Sequence, residues 1–245
     1  MKKFYSKNYW SIGFNSKLYD LLSPESYFES IRRVVDNIPD EKALNLLDAG
    51  CGSGLLLKFL SGRIREGMSY TGIDLLRTGV EKALLRAKKL GITSQVSCFQ
   101  YDLTSSLIEE KFDVIVAHFS IYTISSREQR LKGLVSLKSL MKPQGTLILV
   151  NPSIKYNMDS IIKESIRLVR DRYGLIASLI RQVLIYPVTK SLGLTFIQRQ
   201  LRERKWKAYT RDEFLYEMRE AGFVVQHIEE LYAGCAFLAI GKISA

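Results

Sequence analysis

The segment Leu46-Leu47-Asp48-Ala49-Gly50-Cys51-Gly52-Ser53-Gly54 constrains this chain more than any other, because it sets an apolar run, an acid and three alternate glycines in one stretch. A short apolar run that ends in turn residues reads as a buried strand. Glycines at every second position let the backbone turn sharply and approach a ligand with no Cβ in the way. The stretch after them, Leu55 to about Ile64, predicts a helix whose first free amides point back at the turn. Together these features mark a cofactor pocket. A phosphate loop of the Walker type needs Lys-Ser or Lys-Thr after its last glycine, where this chain has Leu55-Leu56. The dinucleotide pattern G-x-G-x-x-G, begun on Gly50 and Gly52, needs glycine or alanine where Leu55 stands and fits poorly.

Further strand-like runs follow at regular intervals. Tyr70-Thr71-Gly72-Ile73-Asp74 ends in an acid, Val96 to Tyr101 leads into Asp102-Leu103, and Phe112 to His118 forms a fourth run. Gly145 to Asn151 forms a fifth, preceded by Leu140-Met141-Lys142-Pro143, which reads as a helix end and turn. Alternation of strand-like and helix-like segments from Leu44 to Asn151 predicts a parallel sheet with helices on both faces. Near the C-terminus, Arg211 to Ala221 reads as an amphipathic helix, with Thr210 as N-cap and Glu213 completing a capping box. Gly222 stops it, and the runs Val224 to Leu231 and Ala236 to Ile240 look like a closing hairpin.

An acid followed by G-x-G-x-G at the end of the first strand, with further acids ending the second and third, resembles the class I S-adenosylmethionine-dependent methyltransferases. The resemblance covers about Ala43 to Asn151 and Tyr209 to Lys242. It implies an α/β fold, a doubly wound Rossmann-like seven-stranded sheet, mostly parallel with a C-terminal antiparallel strand, carrying an N-terminal helical cap and a helical insertion after strand five. It also implies S-adenosyl-L-methionine as cofactor, S-adenosyl-L-homocysteine as product, and Asp48, Gly50, Cys51, Gly52, Gly54, Asp74, Leu75, Asp102, Leu103 and His118 as the residues around them. Asp74 would accept hydrogen bonds from both ribose hydroxyls, and Asp102 lies where the family places an acid near the adenine amino group. Read singly, Asp48 or Asp74 is an ordinary turn former; in this order and register they read as cofactor ligands. Cys51 reads as a small side chain filling a tight turn rather than a nucleophile.

Methyl transfer is an in-line displacement at a sulfonium carbon, so the protein mostly positions the nucleophile. For a hydroxyl or acidic-carbon acceptor, His118 is the candidate base, set against a plain structural histidine. Tyr122, Tyr5 and Tyr19 are candidates for orienting the acceptor or shielding the cation with their rings. Strand four ends in His118-Phe119-Ser120-Ile121, without the Asn/Asp-Pro-Pro-Tyr/Phe box of amino-group nucleic-acid methylases.

The 245 residues suit a single enzyme domain spanning 1–245, with a cap at 1–40 and a helical lid insertion at 152–208. Three scattered cysteines and two histidines give no metal-ligand spacing. An odd cysteine count without a signal peptide points to a reducing, cytoplasmic location. The cap is rich in aromatics (Phe4, Tyr5, Tyr9, Trp10, Phe14, Tyr19, Tyr27, Phe28); the resemblance implies a segment that caps the cofactor and forms one wall of a substrate pocket, while the residues alone read equally as a surface helix packed on the core.

Residues 151–210 hold twelve Lys and Arg against four Asp and Glu, +8 of the chain's net +11. Within them Met158, Ile162, Ile166, Val169, Tyr173, Ile176, Ile180 and Leu184 recur at helical spacing, with Lys163, Arg167, Arg170 and Arg181 on another face. Leu175 to Val188 is apolar, but Arg181 and Pro187 interrupt it and it is shorter than a bilayer span of about 20 residues. Three readings compete: a lid packed over the sheet, a monotopic helix contacting the inner membrane surface through 158–186, and a nucleic-acid stripe of Arg199, Arg202, Arg204, Lys205 and Lys207 with Trp206 for stacking. The functional expectation is methyl transfer to a small hydrophobic acceptor such as an isoprenoid, quinone, lipid or polyketide-like metabolite. An RNA or protein methyltransferase and a cofactor-binding protein without transfer are the alternatives. The core motifs report the cofactor rather than the acceptor atom, and no periodic interface pattern sets an oligomeric state.

Overall fold

The computed structural model describes residues 19–104 and 109–243. After a helical turn at Tyr19–Leu22, α1 (Glu25–Asp36) leads into β1 (Asn45–Ala49), α2 (Leu55–Arg65), β2 (Ser69–Asp74), α3 (Arg77–Leu90) and β3 (Val96–Gln100). Then come β4 (Phe112–His118), α4 (Arg127–Ser139), β5 (Met141–Pro152), α5 (Met158–Ile180), α6 (Thr195–Arg202), α7 (Arg211–Glu220), β6 (Phe223–Leu231) and β7 (Ala236–Ile243). The strands form one seven-stranded sheet in the order β3-β2-β1-β4-β5-β7-β6. The first five pair in parallel, and β7 runs antiparallel to both β5 and β6. This is the expected Rossmann-like arrangement.

Alternation along the central strands builds two cores. Leu46, Val114, Val116, Ile148 and Val150 face α1, α2 and α3, while Leu47, Ala49, Ile115, Ala117, Leu147 and Leu149 face α4 and α7. Neighbours in sequence thus serve opposite faces, as a strand period of two requires, and each large side chain so buried contributes about 2 kcal/mol. The capping box at α7 is present: Thr210 Oγ1 accepts from Glu213 N at 3.1 Å, and Glu213 accepts from Thr210 N at 2.9 Å.

Four expectations need correction. The turn read over Leu140-Met141-Lys142-Pro143 is a bulge inside β5, where Met141 pairs with Phe112 and pairing resumes at Thr146 opposite Val114. Pro143 has no N–H for the ladder, so the chain loops out there and Lys142 reaches Asp113 at 2.8 Å. The apolar face read as continuous from Met158 to Leu184 breaks at Gly174, whose φ of 84° and ψ of 174° kink α5. Before the kink Met158, Ile162 and Val169 pack on the core; after it Ile176, Ile180 and Leu184 are exposed.

The insertion leaves and rejoins the sheet at one point: Tyr209 N donates to Pro152 O at 3.0 Å, and Ile154 N donates to Tyr209 O at 2.9 Å. Beyond α5 the chain widens into π-helical turns at Arg181–Ile185 and Thr189–Leu194, either side of Pro187. That proline has no amide to donate and crowds the preceding turn. Arg181, expected on a solvated basic face with Lys163, Arg167 and Arg170, instead turns inward to Glu25 at 3.5 Å. Trp206 is 3% exposed, edge-on to Tyr122 and Phe196, so it offers no face for stacking on a base.

Candidate active site

β1 delivers Asp48 to the C-terminal edge of the sheet, and the glycine turn then folds back onto the end of β2. Gly50 N and Cys51 N both donate to Ile73 O, at 2.7 and 2.9 Å, and Gly52 N donates to Asp74 Oδ2 at 2.8 Å. The path requires Gly50 at φ +93°, and a Cβ there would stand 2.3 Å from Ser120 Cβ. Ser120, just past β4, donates its hydroxyl to Ala49 O at 2.6 Å. Gly54 starts α2 at φ +71°, where a Cβ would meet the Ala83 backbone at 2.9 Å. Three elements therefore fix the turn's shape, and two of them, the Ser120 segment and α3, approach too closely for a side chain on Gly50 and Gly54 respectively.

The two acids differ in setting. Asp48 is 4% exposed and accepts a hydrogen bond from Tyr70 OH at 2.6 Å. Burial pushes its carboxyl up to about 7, the Tyr70 hydroxyl draws it down, and the charge of Asp74 raises it again. Asp74 ends β2 and accepts Gly52 N and Leu76 N, each at 2.8 Å. Burial raises its pKa and these two bonds lower it, leaving it above the ordinary value. Each Asp74 oxygen keeps a second lone-pair site for a further donor. Tyr101 N donates to Asp74 O at 2.8 Å, which holds the exit of β3, with Asp102 and Leu103, beside that of β2. Asp102 is exposed, its Oδ1 accepting Thr104 N at 2.9 Å and Thr104 Oγ1 at 2.7 Å, which is the local turn geometry of an aspartate. Leu75 is 44% exposed on the same edge. Cys51 is buried; hydrogen bonding with Cys98, and then burial, push its thiol up, the opposite of an activated thiolate.

α1 roofs this edge. Tyr27, Ile31 and Val34 close over Asp48, Gly50, Cys51, Leu55 and His118, leaving a cavity of about 30 Å³. His118 ends β4, its Nε2 2.8 Å from Ser30 Oγ and its ring edge-on to Tyr27 and Phe119. Ser30 Oγ also donates to Tyr27 O at 2.8 Å. A hydroxyl has one proton, so the tautomer that satisfies both contacts puts the imidazole proton on Nε2, donated to Ser30. Burial pushes His118 down to about 3, so the ring is neutral near pH 7. The N-terminal turn is tied to the glycine loop through Arg86, which donates to both carboxylate oxygens of Asp20 (2.8 and 2.9 Å) and to Ser53 O (2.9 Å).

The structure thus gathers Asp48, Gly50, Cys51, Gly52, Gly54, Asp74 and His118 at one edge. Tyr122 lies beneath it, 2% exposed, its ring against Phe119 and Trp206. Tyr5, with Phe4, Tyr9, Trp10 and Phe14, lies outside the described residues, as does the Tyr19 side chain. Sequence reasoning did not find Tyr27, Ser30, Arg86 or Ser120 as site residues; only the aromatic richness of the cap pointed toward the first. A turn with no Cβ in the way, beside an acid that still has open acceptor sites, fits an adenosyl cofactor with its ribose on Asp74.

Comparison with known proteins agrees. The family model described as "Methyltransferase domain" matches residues 40–222. Ubiquinone biosynthesis O-methyltransferases are similar over part of the chain. That of Rickettsia canadensis is 25% identical over 144 residues, 59% of this chain and 58% of that protein. That of Histophilus somni is 27% identical over 146 residues, 58% and 57% of the two chains. The chain therefore spans less than two thirds of the length of these relatives. Among solved structures, the N-methyltransferase NodS from Bradyrhizobium japonicum, crystallised with S-adenosyl-L-homocysteine, aligns with a TM-score of 0.68 at 13% identity over 98% of this chain and 99% of that one. A SAM-dependent methyltransferase from Aquifex aeolicus aligns with a TM-score of 0.60 at 19% identity, over 87% and 89%. With the domain model matching most of the chain and the glycine turn and strand-end acids in place, the chain belongs to the class I S-adenosylmethionine-dependent methyltransferases.

Proposed function

We propose that this methyltransferase acts on a small, apolar acceptor of the quinone, isoprenoid, lipid or polyketide-like kind. The observation that carries the reading is the aromatic wall beside His118. Tyr27 stacks on Phe119 at 5.9 Å, and Tyr232 leans on the same ring at 5.3 Å. Tyr156 adjoins Tyr232 at 6.3 Å. Such a wall suits an apolar or planar ring and would exclude water from it. S-adenosylmethionine, when bound, supplies a methyl group already activated on a sulfonium centre. The chain's own task is to place the acceptor and keep the cleft dry.

His118 orients rather than deprotonates. A ring held down to about 3 has little capacity to take a proton from a hydroxyl at neutral pH. With Nε2 held by Ser30, its Nδ1 remains an acceptor that can align a donor on the substrate. The relatives named for ubiquinone biosynthesis support a small-molecule acceptor. The buried Trp206 removes the stacking residue on which a nucleic-acid acceptor depended.

The test incubates the purified chain with methyl-labelled S-adenosylmethionine and an extract of its source cells, then partitions the label. Label in the organic phase is the expected result. Label in RNA or protein would overturn the acceptor class, and no label in any fraction would overturn the transfer reading.

A further inference from the structure

Half of the exposed large apolar side chains in the described residues, nine of eighteen, fall within the twenty residues 173–192. Leu175, Ile176, Leu179, Ile180, Val183 and Leu184 recur at spacings of three and four, so they form one stripe along the helix. The side that meets the protein is the polar one. Ser178 is buried and donates to Ile166 O at 3.2 Å, Arg181 reaches Glu25 at 3.5 Å, and Thr189 donates to Leu22 O at 2.8 Å. The segment is largely inside-out: Tyr186 is buried and Ile185 half-buried, but Ser178, Arg181 and Thr189 bond to the protein while the leucines, the valines, Ile176 and Ile180 are exposed. A lid packed on the sheet would show the reverse pattern.

Charge indicates what meets this stripe. From Arg172 to Arg202 the chain carries five Lys and Arg and no Asp or Glu. Arg172 and Arg181 are matched by Glu25 and Glu29 of α1, and Lys190 by Asp159, so the positive excess rests on Arg199 and Arg202, which follow the stripe on α6. An apolar stripe on a basic segment is the composition of a helix that lies in the interface of an anionic bilayer. Length and hydropathy alone would let Met158–Arg202 cross a membrane. Gly174 breaks the helix, however, and Arg181 and Ser178 fasten its opposite face to α1 and α5, so the geometry is in-plane.

We propose that residues 173–192 dock this methyltransferase on an anionic lipid surface, with the apolar stripe in the acyl boundary. The docked segment is joined to the roof of the cleft: α1 binds α5 through Ser26 N to Ser165 Oγ at 3.1 Å and through the Glu25–Arg172 pair at 3.1 Å. The contact would place the cleft beside the bilayer, whichever acceptor the enzyme takes.

The test sediments the full chain with vesicles of phosphatidylcholine alone and of phosphatidylcholine mixed with phosphatidylglycerol. The expected result is partition about tenfold or more stronger onto the mixed vesicles, weakening as salt is added. The triple variant Ile176→Ser/Leu179→Ser/Val183→Ser should lose about tenfold or more of that binding, while its S-adenosylhomocysteine affinity in solution stays at the wild-type level. Failure of the wild-type chain to sediment with anionic vesicles would overturn the proposal. So would a triple variant that binds as wild type, or a concentration-dependent wild-type dimer that the triple substitution dissolves, which would assign the stripe to a second copy of the chain.

Discussion

Replacing Asp48 by Asn separates what this carboxylate does to the fold from what it does for the cofactor. Asp48 is buried at 4% exposure, and burial raises its pKa from 3.8 to about 7. The folded protein holds that proton more tightly than the unfolded chain does. The stability it contributes is therefore complete below 3.8 and is lost as pH rises through 3.8 to about 7. At about 1.4 kcal/mol per pH unit, the loss amounts to about 4 kcal/mol once both states are ionised. Asn keeps an acceptor for Tyr70 OH and cannot ionise. In denaturant titrations, Asp48→Asn should match wild type within about 1 kcal/mol near pH 4 and exceed it by about 3–4 kcal/mol near pH 8. Its affinity for S-adenosylhomocysteine should fall, a trade of stability against function at a desolvated site. The same stability gap at both pH values would show that the carboxyl is not desolvated, and the reasoning would fail.

Gly50→Ala should destabilise the protein by about 2–3 kcal/mol or more, because the new Cβ meets Ser120 at a backbone angle that alanine resists. Adding Ser120→Gly should restore only part of the loss, since the strain at φ +93° remains; full recovery would refute the strain. His118→Gln should retain transfer within about tenfold, whereas removing a true general base costs about 10²–10⁴-fold. For the same reason the kcat/KM profiles of wild type and His118→Gln should have the same shape between about pH 5 and 8, with the Asp48 ionisation near 7 present in both, and an inflexion near 6.5 that the substitution removes would contradict the lowered value. In stability the sign is opposite to that of Asp48: as pH falls from 6.5 toward about 3, the unfolded chain takes up the His118 proton first. Wild type should lose stability relative to His118→Gln across that window.

The parts of the fold legible in sequence were those fixed by local chemistry. The glycine turn, the acid at the end of β2 and the Thr210–Glu213 cap each depend on residues a few positions apart. The five parallel strands were visible as apolar runs closed by turn residues. The roof was not legible, because Ser30 meets His118 across 88 positions and Arg86 meets Asp20 across 66. No local pattern encodes such pairs. In the insertion, periodicity revealed an apolar stripe but not which way it faces, and after Gly174 it turns outward. Trp206 shows the same limit in reverse: it stands among Arg204, Lys205 and Lys207 in sequence, yet its ring packs inward against Tyr122 and Phe196.

The central claim, that the glycine turn and Asp74 hold the adenosyl cofactor, is tested most directly by calorimetric titration of S-adenosylhomocysteine into wild type, Asp74→Asn and Asp74→Ala. Charge-assisted hydrogen bonds contribute about 1.5–3 kcal/mol each. The account predicts a graded loss, about tenfold or more for Asn and larger for Ala, with all three proteins folded by circular dichroism. Equal affinity across the three would place the cofactor elsewhere and contradict the assignment of this site.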